Sequence, residues 1–417
     1  MKLSGAFKLP GDKSISHRIA LLSLIASGEC EVSNYSTAQD CITSAKVVNS
    51  LGGVARFSGG KLVLSSMGYR LKNRADIDCG NSGTTMRLLM GILASVPGKF
   101  CLIGDESLMK RPMERVAKPL RQMGAKISCA VSGIPPVNVE GNALTGIDYT
   151  LPVPSAQLKS AILLAGLNAE GVTRVMEPVK SRDHTENMLK AFGGEISFRG
   201  GSWSVQRSDI KLPSNFNVPG DPSSAAFFLC GAALIQGSEV VAESILLNPT
   251  RIKFLEKINQ MGVQIEIQPK GDFPEPWGNV MSRYSGQLSP CNIAPDELPL
   301  LIDEVPVLAL LATQADGVSE FQEISELRIK ESDRIAALVS ELGKMGAKLQ
   351  IKGSNLLING PCQLRRANSL ESFGDHRIAM TLALACLMTG ATPSISDISC
   401  VSISYPGFFN TMRELAS

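Results

Sequence analysis

Along the chain, polar clusters lead into apolar runs in a repeating order. The stretches are GDKSISHRIALL, GNSGTTMRLLMG, PSAQLKSAILLAG, GDPSSAAFFLCG, IDEVPVLALLA and GDHRIAMTLALA. A polar cap before an apolar run predicts a helix start, here marked by Ser14, Ser82, Ser155, Ser223, Glu304 and His376. A second pattern predicts where helices end: LGGVARF at Leu51, MGAKISC at Met123, FGGEISF at Phe192, MGVQIEI at Met261 and MGAKLQI at Met345. The glycine suits the left-handed residue after a helix, and the alternation behind it predicts a half-buried strand. GGKLVL and GSNLLI add hairpin signals.

Both patterns recur about every 70 residues, which divides the chain into six units, two halves of three. A Pro-Gly-Asp-x-Ser frame opens each half, at Pro10 and at Pro219. Five helix ends stand against six helix starts, so the sixth unit is expected to close through the termini, joining NTMREL to the first strand, KLSGAFKL. The expected domains are residues 1–11 with 222–417, and residues 12–221. The fold class is α/β (α+β): two similar lobes with helices packed inside sheets, and a ligand site in the cleft between lobes.

The charge balance narrows the function. A net charge of +2 over 417 residues lacks the basic excess of a general nucleic-acid or acidic-membrane binder, so anion binding has to be local. The ten cysteines are scattered without a C-x-x-C pair, which fits reduced thiols in a cytoplasm. No apolar run reaches the roughly 18 residues of a membrane span. IALLSLIASG after Arg18 mimics a signal-peptide core, but Pro10-Gly11-Asp12 is a poor basic flank and the same frame returns at Pro219.

Helix N-termini attract anions, and basic residues stand near several of these starts. Ser223 and Ser224 read as plain helix caps. GDKS lacks the spacing of a phosphate-binding P-loop. In MKRPMERVAKPLRQ, Pro112 fits the first helical position, leaving Arg111 at the helix start, while Arg115, Lys118 and Arg121 fit a solvated face. ELRIKESDRIAALVSEL gathers Arg328, Lys330, Glu331, Asp333 and Arg334 ahead of an apolar stripe; a salt-bridged helix start accounts for them. Asp303 and Glu304 sit inside an apolar run, either as helix-terminal carboxylates or as a catalytic group. All three histidines, His17, His184 and His376, lie in polar clusters.

Taken in order, PGDKSISHR, GNSGTTMR, KRPM, PSAQLKSA, LRIKESDR, GDHRIAM and SYPGFF resemble the 5-enolpyruvylshikimate-3-phosphate synthases over nearly the whole chain. The resemblance implies two lobes of three βαβαββ units each, an inside-out α/β barrel. It implies transfer of the enolpyruvyl group of phosphoenolpyruvate to the 5-hydroxyl of shikimate 3-phosphate, with release of phosphate and with neither metal nor organic cofactor. It also implies a cytoplasmic monomer on the route to aromatic amino acids, with small-molecule substrates and no nucleic-acid or membrane partner. By similarity Lys13, Ser14, Arg18, Ser155, Ala156, Gln157, Ser181, Asp303 and Lys330 meet shikimate 3-phosphate. Lys13, the backbone of Asn81 and Gly83, Arg111, Gln157, Arg334 and Arg377 meet phosphoenolpyruvate. Asp303 is the expected base and Glu331 the proton donor, with Lys13, Lys330 and His376 assisting.

The chain departs from the family pattern at several positions. Ile403 stands where many members carry Lys, Ala156 replaces a second Ser, and Glu326 replaces an Asn. SRDHT lacks a Tyr contact, with Arg182 a possible substitute, and Leu88 stands where some members have Pro. Two other readings compete. UDP-N-acetylglucosamine enolpyruvyl transferases share the fold but use a loop cysteine, which residues 110–113 lack. A non-catalytic anion-binding repeat protein needs the cations but no acid–base pair.

Overall fold

All five hydrophobe-Gly pairs end helices. Gly52, Gly124, Gly193, Gly262 and Gly346 have φ between 89° and 110°, the left-handed region that favours a residue without Cβ. The next N–H turns back to a carbonyl of the last helical turn, as in Gly53 to Val48 at 3.0 Å and Ala347 to Leu342 at 3.0 Å. A strand follows each glycine: Val54–Ser58, Lys126–Cys129, Ile196–Arg199, Gln264–Gly271 and Lys348–Lys352.

The computed structural model describes residues 2–390 and 394–416. They form two units, Gly11–Val218 and Met1–Pro10 with Pro219–Ser417. These boundaries fall slightly ahead of the expected ones. Gly220 donates to Ser244 and Asp221 to Pro10, both within the second unit, so the Pro-Gly-Asp frame at Pro219 belongs there.

Gly11–Val218 holds three four-stranded sheets of one design. Their orders are Asn215–Asn217, Ser27–Ser33, Lys61–Met67, Val54–Ser58; then Arg74–Asp78, Gly98–Ile103, Val137–Gly141, Lys126–Cys129; then Asp148–Thr150, Val172–Met176, Ser202–Gln206, Ile196–Arg199. In each the first pair is parallel and the others antiparallel. The helices Lys13–Leu22, Gly83–Ala94 and Ala156–Gly166 are almost wholly buried. A helix with no polar stripe has no face to give to water, so it lies inside the sheets. The apolar run after Arg18 is the buried body of the first of these helices.

The other unit repeats the design around Pro222–Leu234, Val305–Ala312 and His376–Met388. Its first sheet is completed by the N-terminal strand Ser4–Lys8, parallel to Glu239–Leu246 with Ser4 opposite Glu239. Helix Phe408–Leu415 packs on that strand, and Leu3 bridges to Ala416. The third sheet is short: among the described residues it holds only Leu370–Glu371 and Ile395–Ser396, with no hairpin behind them. The 3-10 turn Ile398–Ile403 and the C-terminal helix take the hairpin's place in sequence. The fold is the mixed α/β architecture expected, with this sixth unit abbreviated.

Several helix starts differ from the sequence reading. Asp12 and Asp221, rather than Ser14 and Ser223, cap their helices; Asp221 Oδ1 accepts the N–H groups of Ser223 and Ser224 at 2.8 and 3.2 Å. Both Asp and Ser fit a cap, and the carboxylate wins where it reaches the second and third amides together. Pro112 is not the first helical residue. A 3-10 turn Leu108–Lys110 ends at Arg111, and the helix runs Glu114–Gln122. Among the described residues no helix is long and apolar enough to cross a membrane.

Candidate active site

Within Gly11–Val218, the chemistry-bearing residues stand at the first turns of the three buried helices. Lys13 opens its helix directly after the Asp12 cap, and its Nζ lies 2.7 Å from Asp40 Oδ2. Ser14 is half-buried on the same turn, and its carbonyl accepts from Arg18 Nη1 at 3.0 Å. Arg18 is buried; its Nε donates to Thr185 Oγ1 at 2.7 Å and its Nη2 to Ser160 Oγ at 3.1 Å. Those two hydroxyls lie 2.6 Å apart. Three directional bonds fix the plane of the guanidinium, which suits a two-pronged partner for phosphate.

At the second helix, Ser82 is the cap and Asn81 and Gly83 flank it. Asn81 Oδ1 accepts from Arg111 Nη2 at 2.8 Å, while its amide donates to Asp105 at 2.7 Å. Gly83 presents no side chain. A Cβ there would lie 3.0 Å from Arg87 Nη1 and 3.4 Å from Arg111 Nη1, so two guanidinium groups border this glycine. At the third helix Ser155 is the cap, Ala156 and Gln157 follow, and Gln157 bridges Arg87 (2.7 Å) and Thr84 (2.9 Å). Gly83 thus stands between an Arg87–Gln157 pair and an Arg111–Asn81 pair. Arg87 lies in the GNSGTTMR stretch, where spacing alone assigns it no role.

Ser181 is buried and donates through its amide at 3.0 Å, and through its hydroxyl, to Glu177 Oε1. The other Glu177 oxygen accepts from Lys159 at 2.7 Å, and Glu186 stands 2.8 Å from the same ammonium. Burial pulls the Lys159 pKa down, but Glu186 and Glu177 together hold it above its ordinary range. A buried ion triad therefore holds Ser181 in place.

The second unit gathers the acid–base candidates around one guanidinium. Arg334 is 1 % exposed. Its Nε donates to Asp375 Oδ2 (2.8 Å), its Nη2 to Glu331 Oε2 (2.8 Å), and its Nη1 lies 3.5 Å from Asp303 Oδ1. These carboxylates hold its pKa above the ordinary value against the effect of burial. Instead of a solvated start to helix Arg334–Lys344, the charged cluster includes a sealed cation. Lys330 stands on the same segment, 4.0 Å from Glu326; burial first and Arg334 second pull its pKa down. Asp375 also accepts the Arg377 N–H at 2.8 Å and so caps His376–Met388. His376 and Arg377 are both buried on its first turn. Arg377 Nε and Nη1 have no hydrogen-bond partner among the described residues, and its guanidinium lies 6.0 Å from the Phe227 ring centre.

Asp375 and Asp40 escaped the sequence reading although both stand beside residues it named. An acidic residue at a helix start has a sufficient explanation as a cap, and nothing in spacing shows a second duty. Ile403, at the position where many family members carry Lys, ends a 3-10 turn and packs partly against the apolar core. Among the described residues no His, Cys, Asp and Glu side chains are grouped as metal ligands would be.

The family model described as EPSP synthase (3-phosphoshikimate 1-carboxyvinyltransferase) matches residues 1–412. A 3-phosphoshikimate 1-carboxyvinyltransferase from Bacillus velezensis is 43% identical over 99% of this chain and 97% of its own length. One from Geobacillus kaustophilus is 44% identical over 99% and 98%. The EPSP synthase structure from Acinetobacter baumannii superposes with a TM-score of 0.89 at 38% identity, covering 100% of this chain and 96% of that one. The enolpyruvyl transferase NikO from Streptomyces tendae shares the fold, with a TM-score of 0.77 at 17% identity over 99% and 95%.

Proposed function

The chain belongs to the EPSP synthase (3-phosphoshikimate 1-carboxyvinyltransferase) family, and from that premise we propose how its residues divide the work. The reaction moves the enolpyruvyl group of phosphoenolpyruvate onto the 5-hydroxyl of shikimate 3-phosphate and releases phosphate, on the shikimate route to aromatic amino acids.

Both substrates are polyanions, and the cations found at the helix starts match that need. Lys13, Ser14, Arg18, Ser155, Ala156, Gln157, Ser181, Asp303 and Lys330 receive shikimate 3-phosphate. Lys13, Asn81, Gly83, Arg111, Gln157, Arg334 and Arg377 receive phosphoenolpyruvate, and Arg87 joins them. The observation that carries this reading is Arg377. A buried cation with unfilled donors is strongly unfavourable unless an anion meets it, and Arg377 has two such nitrogens.

The chemistry adds the 5-hydroxyl oxygen to C2 of phosphoenolpyruvate while C3 gains a proton. The tetrahedral adduct then loses phosphate from C2 and a proton from C3. Asp303 takes the hydroxyl proton, and Glu331 gives the C3 proton and later removes one. Lys13, Lys330 and His376 steady the developing charge. Arg334 Nη2, 2.8 Å from Glu331 Oε2, orients that carboxyl for both proton transfers. The reading extends to a monomer with neither nucleic acid nor membrane as partner, and to a cytoplasm, where the ten free thiols would stay reduced.

Phosphate release tests the assignment. It is expected from phosphoenolpyruvate only when shikimate 3-phosphate is also present, with a raised KM for phosphoenolpyruvate in Arg377→Gln. Release from phosphoenolpyruvate alone would overturn it.

A further inference from the structure

His17 has no part in the scheme above, yet it begins a buried chain of polar contacts. Its Nδ1 lies 2.7 Å from Ser44 Oγ, and Ser44 Oγ lies 2.7 Å from Thr85 Oγ1. Thr85 Oγ1 donates to Ser82 Oγ at 2.7 Å, and the Thr85 N–H reaches the same oxygen at 3.1 Å. The final link sets the direction of the rest. Thr85 gives its proton to Ser82, so it accepts from Ser44, and Ser44 in turn accepts from His17. The imidazole carries its hydrogen on Nδ1, and Nε2 is a bare acceptor with no partner among the described residues.

Apolar side chains would join these three helices, Lys13–Leu22, Gln39–Ser50 and Gly83–Ala94, without an unpartnered nitrogen. All four polar residues are buried, His17 at 1 % exposure and the others at 0 %. A fully directed buried chain fixes rotamers more than it adds stability. Here the fixed end is Ser82. Its oxygen accepts two hydrogens, which sets the backbone between Asn81, the holder of Arg111, and Gly83, the residue bordered by two guanidinium groups.

We propose that His17 is a positioning residue for phosphoenolpyruvate, acting through Ser44 and Thr85 on the Ser82 cap. The inference rests on the assignment of Asn81 and Gly83 to that substrate.

The test is steady-state kinetics of His17→Ala, His17→Asn, Ser44→Ala, Thr85→Val and the His17→Ala/Ser44→Ala double variant, with urea midpoints for each. Gly83→Ala, whose added Cβ would crowd the Arg87 and Arg111 guanidinium groups at the assigned place, serves as the control on the assignment. Leaving a buried hydrogen-bond partner unmet typically corresponds to about a tenfold change in an equilibrium. His17→Ala is therefore expected to raise the KM for phosphoenolpyruvate roughly tenfold, leaving kcat and the KM for shikimate 3-phosphate nearly unchanged. His17→Asn, whose amide N–H can stand in for Nδ1–H, is expected to restore it. The double variant is expected to match the single ones. Should His17→Ala not fold, Ser44→Ala and the isosteric Thr85→Val carry the same expectation. If Gly83→Ala raises that KM while His17→Ala does not, the relay is overturned and the assignment stands. If neither does, both fall. Equal rises in both substrates' KM, or an Asn variant as impaired as the Ala variant, assigns His17 to packing alone.

Discussion

Arg334 and Arg377 are both buried cations, and they differ in what meets them. Arg334 is held by Asp303, Glu331 and Asp375, while Arg377 keeps two nitrogens without a partner among the described residues. In the proposed scheme the first cation would orient Asp303 and Glu331, and the second would receive phosphoenolpyruvate. Asp303→Ala, which removes one of nine proposed contacts, should retain shikimate 3-phosphate binding by calorimetry, weakened by no more than about tenfold, and lower turnover by about a hundredfold or more. Unchanged turnover would remove Asp303 from the chemistry. His17 supplies a pH signature. Burial, with Lys13 and Arg18 adding and Asp40 opposing, lowers its pKa from 6.5 to about 3. Between those values the unfolded chain binds a proton that the folded chain refuses, so stability falls as pH falls through that window. His17→Asn removes this term. Its unfolding free energy from urea titration is expected to decline less than the parent's from pH 7 to pH 5, by on the order of 2 kcal/mol. Parallel declines would mean that the ring is not neutral when folded.

Among the elements, helices Gly83–Ala94 and Ala156–Gly166 approach each other closely at a glycine. A Cβ on Gly91 would lie 2.2 Å from the Ala161 carbonyl oxygen and 2.7 Å from its Cα, and backbone atoms cannot turn aside. Gly91→Ala is expected to destabilise the protein by about 1–3 kcal/mol. It is also expected to raise the KM for phosphoenolpyruvate, because the Arg87–Gln157 bond joins the same two helices. A normal KM in a destabilised variant would show that the helix starts tolerate the shift. The elements themselves were legible in the sequence, because a left-handed glycine and an apolar run are local signals. Which residue caps a helix was less so: Asp12 and Ser14, like Asp221 and Ser223, are both good acceptors, and only the turn's path decides. The Arg334–Asp375 pair spans distant segments and leaves no periodic trace. Ser82 and Ser155 were legible as helix starts, whereas the relay behind Ser82 depends on three helices meeting.

For the whole molecule, the repeat count reads the chain correctly at its ends. Five helix ends against six starts place the first strand with the last helix, and strand Ser4–Lys8 does pair with Glu239–Leu246 and contact Phe408–Leu415. The missing sixth hairpin was not legible, since a short final unit looks in sequence like a complete one closed elsewhere. The arrangement separates two roles that a linear reading merges. Residues 1–10 carry none of the candidate catalytic groups, yet Leu3 and Phe7 are buried in the second unit's core, Phe7 with its ring 5.1 Å from Phe228. A chain starting at Gly11 keeps every residue assigned to either substrate and loses one strand of a four-stranded sheet. Amide exchange is then expected to quicken in Val305–Ala312 and His376–Met388 and to stay slow in Gly83–Ala94. Turnover should fall because Asp303, Glu331 and Arg377 sit in the loosened unit. Equal loosening of Gly83–Ala94 would mean that the two units share one cooperative core, and the order of protection among these helices distinguishes the two cases.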